Sequence, residues 1–242
     1  MKPNPWICGM LAAAACAGCG HRPAAHVLAA KAAGTAMVVV SGDKQLGYPG
    51  SQLSQPLVVQ VNDDQGNAVT GAKVKLSGPH GVVLDPAQVL TDDNGQATFK
   101  VTMGGTAGRY DLTVSSRDAH GKAFSIPVAE LAAGYQQEVG HEVNEKYCSR
   151  CHDSESTVEQ VSNYDNLAVQ PHSFASGDVY NKLSDSDLAT IIAHGGPAMN
   201  RSALMPPYGW TLNKAETRAV IAYIRLVSDP PYVAPGLVYA KH

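Results

Sequence analysis

Tyr147-Cys148-Ser149-Arg150-Cys151-His152 is the stretch from which the rest of the sequence is read. Its C-x-x-C-H spacing is the signature of covalent c-type haem attachment. Two thiols three positions apart, near the end of a helix, can reach the two vinyl groups of one porphyrin. The imidazole of the next residue then lies under the iron. Two other chemistries also use a close cysteine pair. A thioredoxin-like redox pair wants a β-α-β setting, and the surroundings of this pair read as helical. Half of a zinc site wants two further Cys or His ligands; His172 and His194 are available, without a second Cys pair.

The remaining cysteines bear on compartment. The chain has five, at Cys8, Cys16, Cys19, Cys148 and Cys151, so no disulfide framework can be drawn for its body. The first three lie in a leader with Lys2 as its positive start and a short apolar stretch from Trp6 to Ala17, too short to span a bilayer. Cys16-Ala17-Gly18-Cys19 resembles the box of a bacterial lipoprotein signal, with Cys16 where Leu is usual. That resemblance implies cleavage after residue 18 and lipidation of Cys19, which would hold the mature chain on a membrane without a spanning helix. Gly20, where an Asp would retain the protein at the inner membrane, points to the outer membrane. An ordinary cleaved secretory peptide is the other reading, and both export the chain. Export suits thioether attachment, which needs reduced thiols at an exported site.

With 242 residues, one large or two small domains are expected. The apolar fraction of 44% can fill cores, while 16% charged residues and a net charge of −3 exclude an acidic disordered tail and a general nucleic-acid binder. No run of apolar residues is long enough for a polytopic membrane protein.

After an Ala-rich tether over 19–35, period-two alternation governs 36–131. Ala72-Lys73-Val74-Lys75-Leu76, Ala97-Thr98-Phe99-Lys100-Val101-Thr102-Met103 and Tyr110-Asp111-Leu112-Thr113-Val114 each put one face in a core and the other in water. Leu57-Val58-Val59-Gln60-Val61 is apolar on both faces, and strands are also expected at 37–41, 81–84 and 123–128. Asp63-Asp64-Gln65-Gly66-Asn67 and Asp92-Asp93-Asn94-Gly95 are turn chemistry. Their carboxylates are read as turn formers in preference to calcium ligands, and His80 and His120 as exposed loop residues. Seven short strands predict a β-sandwich.

This stretch resembles the bacterial Ig-like domains of the invasin and intimin type. The resemblance rests on the 61–74 stretch around Asn62-Asp63-Asp64-Gln65-Gly66-Asn67, on Thr91-Asp92-Asp93-Asn94-Gly95-Gln96-Ala97-Thr98, and on Gly108-Arg109-Tyr110-Asp111-Leu112-Thr113-Val114.

Beyond Ala132-Ala133-Gly134 the period turns helical. Helices are expected over 136–147, from the Ser184 cap to Gly195-Gly196, and from Asn213 with Glu216 three residues later. The last carries Val220, Ile224 and Val227 on one stripe, with Ile221 and Tyr223 beside it. The tail over 229–242 reads as irregular.

Leu204-Met205-Pro206-Pro207-Tyr208-Gly209 offers the sixth iron ligand. Met205 presents a soft thioether from a loop braced by Pro and Gly just before the last helix, and Met/His ligation fills both axial positions. Met199 is the runner-up, and His172 and His194 are the remaining alternatives.

Residues 132–228 resemble a small class I cytochrome c domain. The resemblance rests on the haem motif, Gly177-Asp178-Val179-Tyr180, Lys182-Leu183-Ser184-Asp185, Ile191-Ile192, His194-Gly195-Gly196, Met205-Pro206-Pro207-Tyr208-Gly209 and Ala222-Tyr223-Ile224-Arg225. It implies one haem c on Cys148 and Cys151, with His152 proximal and Met205 distal. It also implies first and last helices crossing near Gly140 and Tyr223. Asp153 stands where Gly is common, and the Gly-rich stretch that usually supplies a carbonyl to the proximal imidazole is absent. That carbonyl is left unassigned, with Pro171 and Pro197 as markers of the wall.

The expected fold is therefore two domains, an all-β Ig-like sandwich followed by an all-α cytochrome c fold. The expected activity is single-electron transfer between redox partners, with no catalytic residues and the Ig-like domain as spacer or docking module. A cytochrome subunit of a dehydrogenase or reductase complex, and a haem sensor or surface interaction protein, are the alternatives. From residue 134 onward twelve Asp/Glu face eight Lys/Arg, which suits a partner with a basic docking patch.

Overall fold

The computed structural model describes residues 33–153 and 161–235. The leader, Cys19 and most of the tether lie outside the described residues.

The alternating half forms β1 (Ala36–Ser41), β2 (Leu46–Gly47), β3 (Leu57–Asn62), β4 (Lys73–Ser77), β5 (Val83–Asp85), β6 (Gln88–Leu90), β7 (Gln96–Thr102), β8 (Gly108–Arg117) and β9 (Ala123–Ala132). They make two sheets, ordered β1-β3-β7-β5 and β2-β9-β8-β4-β6. All described ladders are antiparallel except β2 on β9. Alternate residues meet between the sheets: Leu57, Val59 and Val61 from β3, Phe99 and Val101 from β7, Val74 and Leu76 from β4, Leu112 and Val114 from β8 are all buried. This is the predicted sandwich. The two added strands are β2 and β6, of two and three residues. Neither is long enough to show a period.

The turn carboxylates are committed to backbone amides. Asp63 Oδ1 accepts from the N–H groups of Gln65 and Asn67 at 2.9 and 2.8 Å, and Asp92 Oδ1 from those of Asn94 and Gln96 at 2.9 and 2.8 Å. These are Asx turns, in which a short side chain takes the place of a backbone acceptor.

From residue 135 the chain is helical: α1 (Tyr135–Tyr147), α2 (Ser149–His152), α3 (Gly177–Tyr180), α4 (Asp185–His194) and α5 (Lys214–Val227). Both predicted starts are capping boxes. The Ser184 hydroxyl accepts from the Asp187 N–H, while the Asp187 carboxylate accepts from the Ser184 N–H. Asn213 and Glu216 reciprocate in the same way ahead of α5. Val220, Ile221 and Ile224 of α5 join Val143, Leu188, Ile192 and Leu212 in one core. Val227 departs from the expected stripe and packs instead with Leu131, Ala133 and Leu226, where β9 meets the end of α5.

Polar contacts reinforce that junction. Lys44 pairs with the Asp229 carboxylate, and Arg109 lies 3.8 Å from it. The start of the tail is more ordered than expected: Asp229 bridges Ser176, and its carbonyl accepts from the Gly177 N–H at 3.0 Å. No helix among the described residues is long and apolar enough to cross a membrane.

Candidate haem site

The end of α1 delivers Cys148 as its last cap, with its N–H bonded to the Asn144 carbonyl at 2.8 Å. The chain turns at once into α2, where the N–H groups of Cys151 and His152 both donate to the Cys148 carbonyl at 3.0 Å. One helical turn thus brings Cys148, Cys151 and His152 to the wall of a single cavity of about 320 Å³. Both cysteines are free thiols. Burial, helped by the neighbouring Cys151, pushes the Cys148 thiol up to about 12. A redox-active pair needs the opposite, a stabilised thiolate.

The ring of His152, the expected proximal ligand, is held by its surroundings. Its Nδ1 lies 2.8 Å from the His172 carbonyl oxygen. Since a carbonyl can only accept, Nδ1 carries the proton and Nε2 keeps a free lone pair. Burial lowers the proton affinity of the ring, with the His172 bond opposing it, so the neutral form is favoured. Phe174 packs on the imidazole with ring centroids 4.6 Å apart. The Tyr180 hydroxyl donates to the same His172 carbonyl at 2.8 Å and stands 3.2 Å from His152 Nδ1.

The carbonyl left unassigned by the sequence is therefore that of His172. Pro171, its neighbour, marks that wall and lines the cavity; Pro197 does not. A backbone acceptor has no side-chain signature, so only the fold could identify it. Residues 154–160 of the intervening segment lie outside the described residues.

Met205 is half-buried against the helical core and lines the same wall. Its loop is fastened to the end of α4. The Gly196 N–H donates to the Met205 carbonyl at 3.1 Å, and the Tyr208 and Gly209 N–H groups donate to the Ile192 and Ala193 carbonyls at 2.9 Å. The Tyr208 hydroxyl donates to the Tyr147 carbonyl at 3.0 Å, tying the methionine loop to the helix that carries the cysteines. Met199 ends the 3-10 turn Gly196–Met199 and does not line the cavity, nor does the exposed His194. His172 lies on the side of His152.

The residues fit the cofactor that the motif implies. The wall is mostly apolar, with two thiols, an oriented imidazole and a thioether facing one space. Among the described residues, Arg201 is the one Lys or Arg that lines it, and no Asp or Glu does. Such a lining suits an apolar macrocycle bearing carboxylates. Among the described residues no three His, Cys, Asp or Glu side chains gather into a metal cluster of their own.

Tyr180, Tyr208 and the His172 carbonyl were not singled out by the sequence. Tyr180 and Tyr208 stand inside the stretches that carry the resemblance, but no spacing rule assigns them a partner.

Comparison with known proteins agrees with this division. Residues 51–128 match the family model "Bacterial Ig-like domain (group 1)", and residues 136–224 match "Cytochrome C oxidase, cbb3-type, subunit III". No curated protein matches the chain. Among solved structures, the D00-D0 domain of intimin is 14% identical, with a TM-score of 0.32, over 42% of this chain and 48% of that one. The integrin-binding protein invasin is 21% identical, with a TM-score of 0.31, over 43% of this chain and 21% of that one. The Yersinia pseudotuberculosis adhesin InvE is 18% identical, with a TM-score of 0.32, over 40% and 32%. This chain thus spans less than half of each of these three structures. The chain thus matches a bacterial Ig-like domain over 51–128 and a cbb3-type cytochrome c domain over 136–224, a domain type whose cofactor is covalently bound haem c.

Proposed function

We propose that the protein is an exported, membrane-tethered carrier of single electrons, built as an Ig-like domain over 36–131 and a cytochrome domain over 132–228. Cys148 and Cys151 would hold the haem as thioethers, and His152 Nε2 and Met205 Sδ would be its iron ligands. The observation that carries the reading is the convergence of these four side chains on one mostly apolar cavity. When bound, haem c supplies a reversible one-electron couple.

The chain's own residues give that couple its setting. His152 and Met205 would both bind the haem iron, which would leave no site open to a substrate or to oxygen. The His172 carbonyl fixes the imidazole tautomer. The apolar wall excludes water, and the Tyr208 bond to the Tyr147 carbonyl holds the distal loop against the cysteine-bearing helix. Little then needs to move when the electron arrives or leaves.

Cys19 carries the lipid anchor in this reading. It lies outside the described residues, and support comes from the Cys16-Ala17-Gly18-Cys19 box. The Ig-like domain serves as a mount for the cytochrome and as a docking module for redox partners, whose docking face would be basic. A mount is favoured over a loose spacer by the Lys44–Asp229 pair and by the apolar contact of Leu131, Ala133 and Leu226.

Visible spectra of wild type, Met205→Ala and Met199→Ala, matured in a cytochrome-c-competent periplasm, test the site. The wild type should be low-spin with the weak long-wavelength sulfur-to-iron band. Met205→Ala should lose that band and bind CO rapidly when reduced, and Met199→Ala should keep it. A high-spin wild type, or a band that survives in Met205→Ala, defeats the reading and favours a sensor or enzyme. Radiolabelled palmitate incorporation that disappears in Cys19→Ser tests the anchor.

A further inference from the structure

The Tyr180 hydroxyl is the unexplained polar group of the cavity. Tyr180 is only 9% exposed and lines a wall made mostly of apolar side chains. A phenylalanine would fill the same space without the cost of desolvating a hydroxyl, so the oxygen needs a reason of its own. Its bonds supply one. It donates to the His172 carbonyl at 2.8 Å, the same oxygen that accepts the Nδ1–H of His152.

We propose that Tyr180 is a positioning residue that raises the reduction potential of the haem by competing with His152 for the His172 carbonyl. The proposal rests on reading His152 as the proximal ligand. A strong Nδ1–H···O=C bond moves electron density onto the imidazole, makes it a better donor to iron, and favours the ferric state. A carbonyl oxygen already engaged by a phenol is a poorer acceptor for the second donor. The imidazole therefore keeps more neutral character, and the ferrous state is favoured. The Tyr180 oxygen can also accept from Nδ1–H, which works the other way. At 3.2 Å that contact is the longer one, so the competition for the carbonyl dominates.

The hydroxyl is held where this effect needs it. The Tyr180 ring meets Phe174 edge-on, with centroids 5.6 Å apart, and Phe174 itself lies against His152. The Tyr180 backbone carbonyl accepts from Arg225 Nη1 at 2.8 Å. The Arg225 guanidinium also binds the Leu183 carbonyl at 2.6 Å and Asp185 Oδ1 at 2.8 Å, and it stacks over Tyr232 at 3.9 Å. One arginine of the last helix thus fixes the segment that aims the phenol.

The test is Tyr180→Phe in the full-length holoprotein, which keeps the ring and removes only the oxygen. Three measurements are made on it and on wild type: the visible spectrum, the midpoint potential, and the NMR resonance of the His152 Nδ1–H. The expected result is an unchanged low-spin spectrum, a lower potential, and a downfield shift of the Nδ1–H as its bond to His172 strengthens. A more acidic fluorotyrosine incorporated at position 180 should move the potential and the resonance the opposite way, and it keeps the test open if the phenylalanine variant matures poorly. An unchanged or raised potential in Tyr180→Phe, under an unchanged spectrum, overturns the proposal and leaves the ligand assignment standing. A holoprotein whose iron is not bound by His152 overturns both.

Discussion

A β-carbon placed on Gly140 would lie 2.0 Å from the Ala219 carbonyl oxygen. The same atom would lie 2.9 Å from the Tyr223 β-carbon. Helices α1 and α5 therefore cross backbone to backbone, at the place that the cytochrome resemblance implied. The crossing sets where the end of α1, and with it the cysteine pair, meets the cavity.

Gly140→Ala should force the two helices apart. Overpacking of this kind costs about 1–3 kcal/mol. Thermal unfolding of the haem-loaded protein should shift down accordingly, and the yield of covalently loaded protein should fall. A variant that matures and melts like wild type would show that α5 can slide to make room.

Gly195 has a different constraint. Its φ of +81° lies in the region that favours glycine, and a β-carbon there would lie 2.8 Å from the Met205 carbonyl oxygen. Gly195→Ala should displace the methionine loop without touching the thioether itself. The expected outcome is a weakened sulfur-to-iron band and faster CO uptake by the reduced protein. Kinetics identical to wild type would mean that the loop tolerates the shift.

Glu130 predicts a pH dependence that has nothing to do with haem. Its side chain is fully buried in the sandwich, where Oε2 accepts the Gln45 N–H at 2.9 Å and Oε1 has no hydrogen-bond partner among the described residues. Burial, reinforced by the nearby Asp43, raises its pKa from 4.5 to about 8. The folded state therefore holds a proton that the unfolded state has released between these two values. Stability should fall as pH rises across that window and level off above it, at a cost on the order of a few kcal/mol. Glu130→Gln should flatten the profile and be more stable than wild type at pH 9. Denaturant titrations at several pH values check this, and parallel profiles for the two proteins would refute it.

Asp229 carries the opposite sign. Its hydrogen bond to Lys44, with the charges of Lys44 and Arg109, holds its carboxyl below the usual range. Its contribution is present above the unfolded carboxylate pKa and is lost as pH falls through the lower folded value. The pair is partly exposed, so Asp229→Asn should cost only about 0.5–1 kcal/mol at neutral pH. The difference from wild type should shrink in high salt and vanish in acid. Calorimetry is the readout, and a salt-independent loss would point to backbone disturbance at the Ser176 bridge instead.

Local chemistry was legible wherever it repeats or carries a signature. The alternation of Phe99, Val101 and Met103 is a property of the chain itself, and so is the Ser184 and Asp187 capping box. β2 and β6 escaped because two or three residues cannot display a period. Val220, Ile224 and Val227 all lie on α5, as their spacing predicts. Helix periodicity cannot say that one end of the face meets the haem-side core while Val227 meets β9. Met205 and Met199 are both thioethers in a Gly- and Pro-rich stretch, and only the packed loop brings one of them, and not the other, to the cavity wall.

The sequence by itself determined a β-sandwich followed by helices, and the C-x-x-C-H motif Cys148-Ser149-Arg150-Cys151-His152 on which the proposed haem attachment rests. Those features depend on residue type at short spacing, which the linear chain contains in full. Tertiary structure alone decided which carbonyl accepts the His152 Nδ1–H hydrogen bond, that Tyr180 competes for that oxygen, and that Lys44 reaches Asp229 across 185 residues of chain. A backbone oxygen is the same at every position, and a lysine meets a distant aspartate only where the packing of β9 against α5 brings them together.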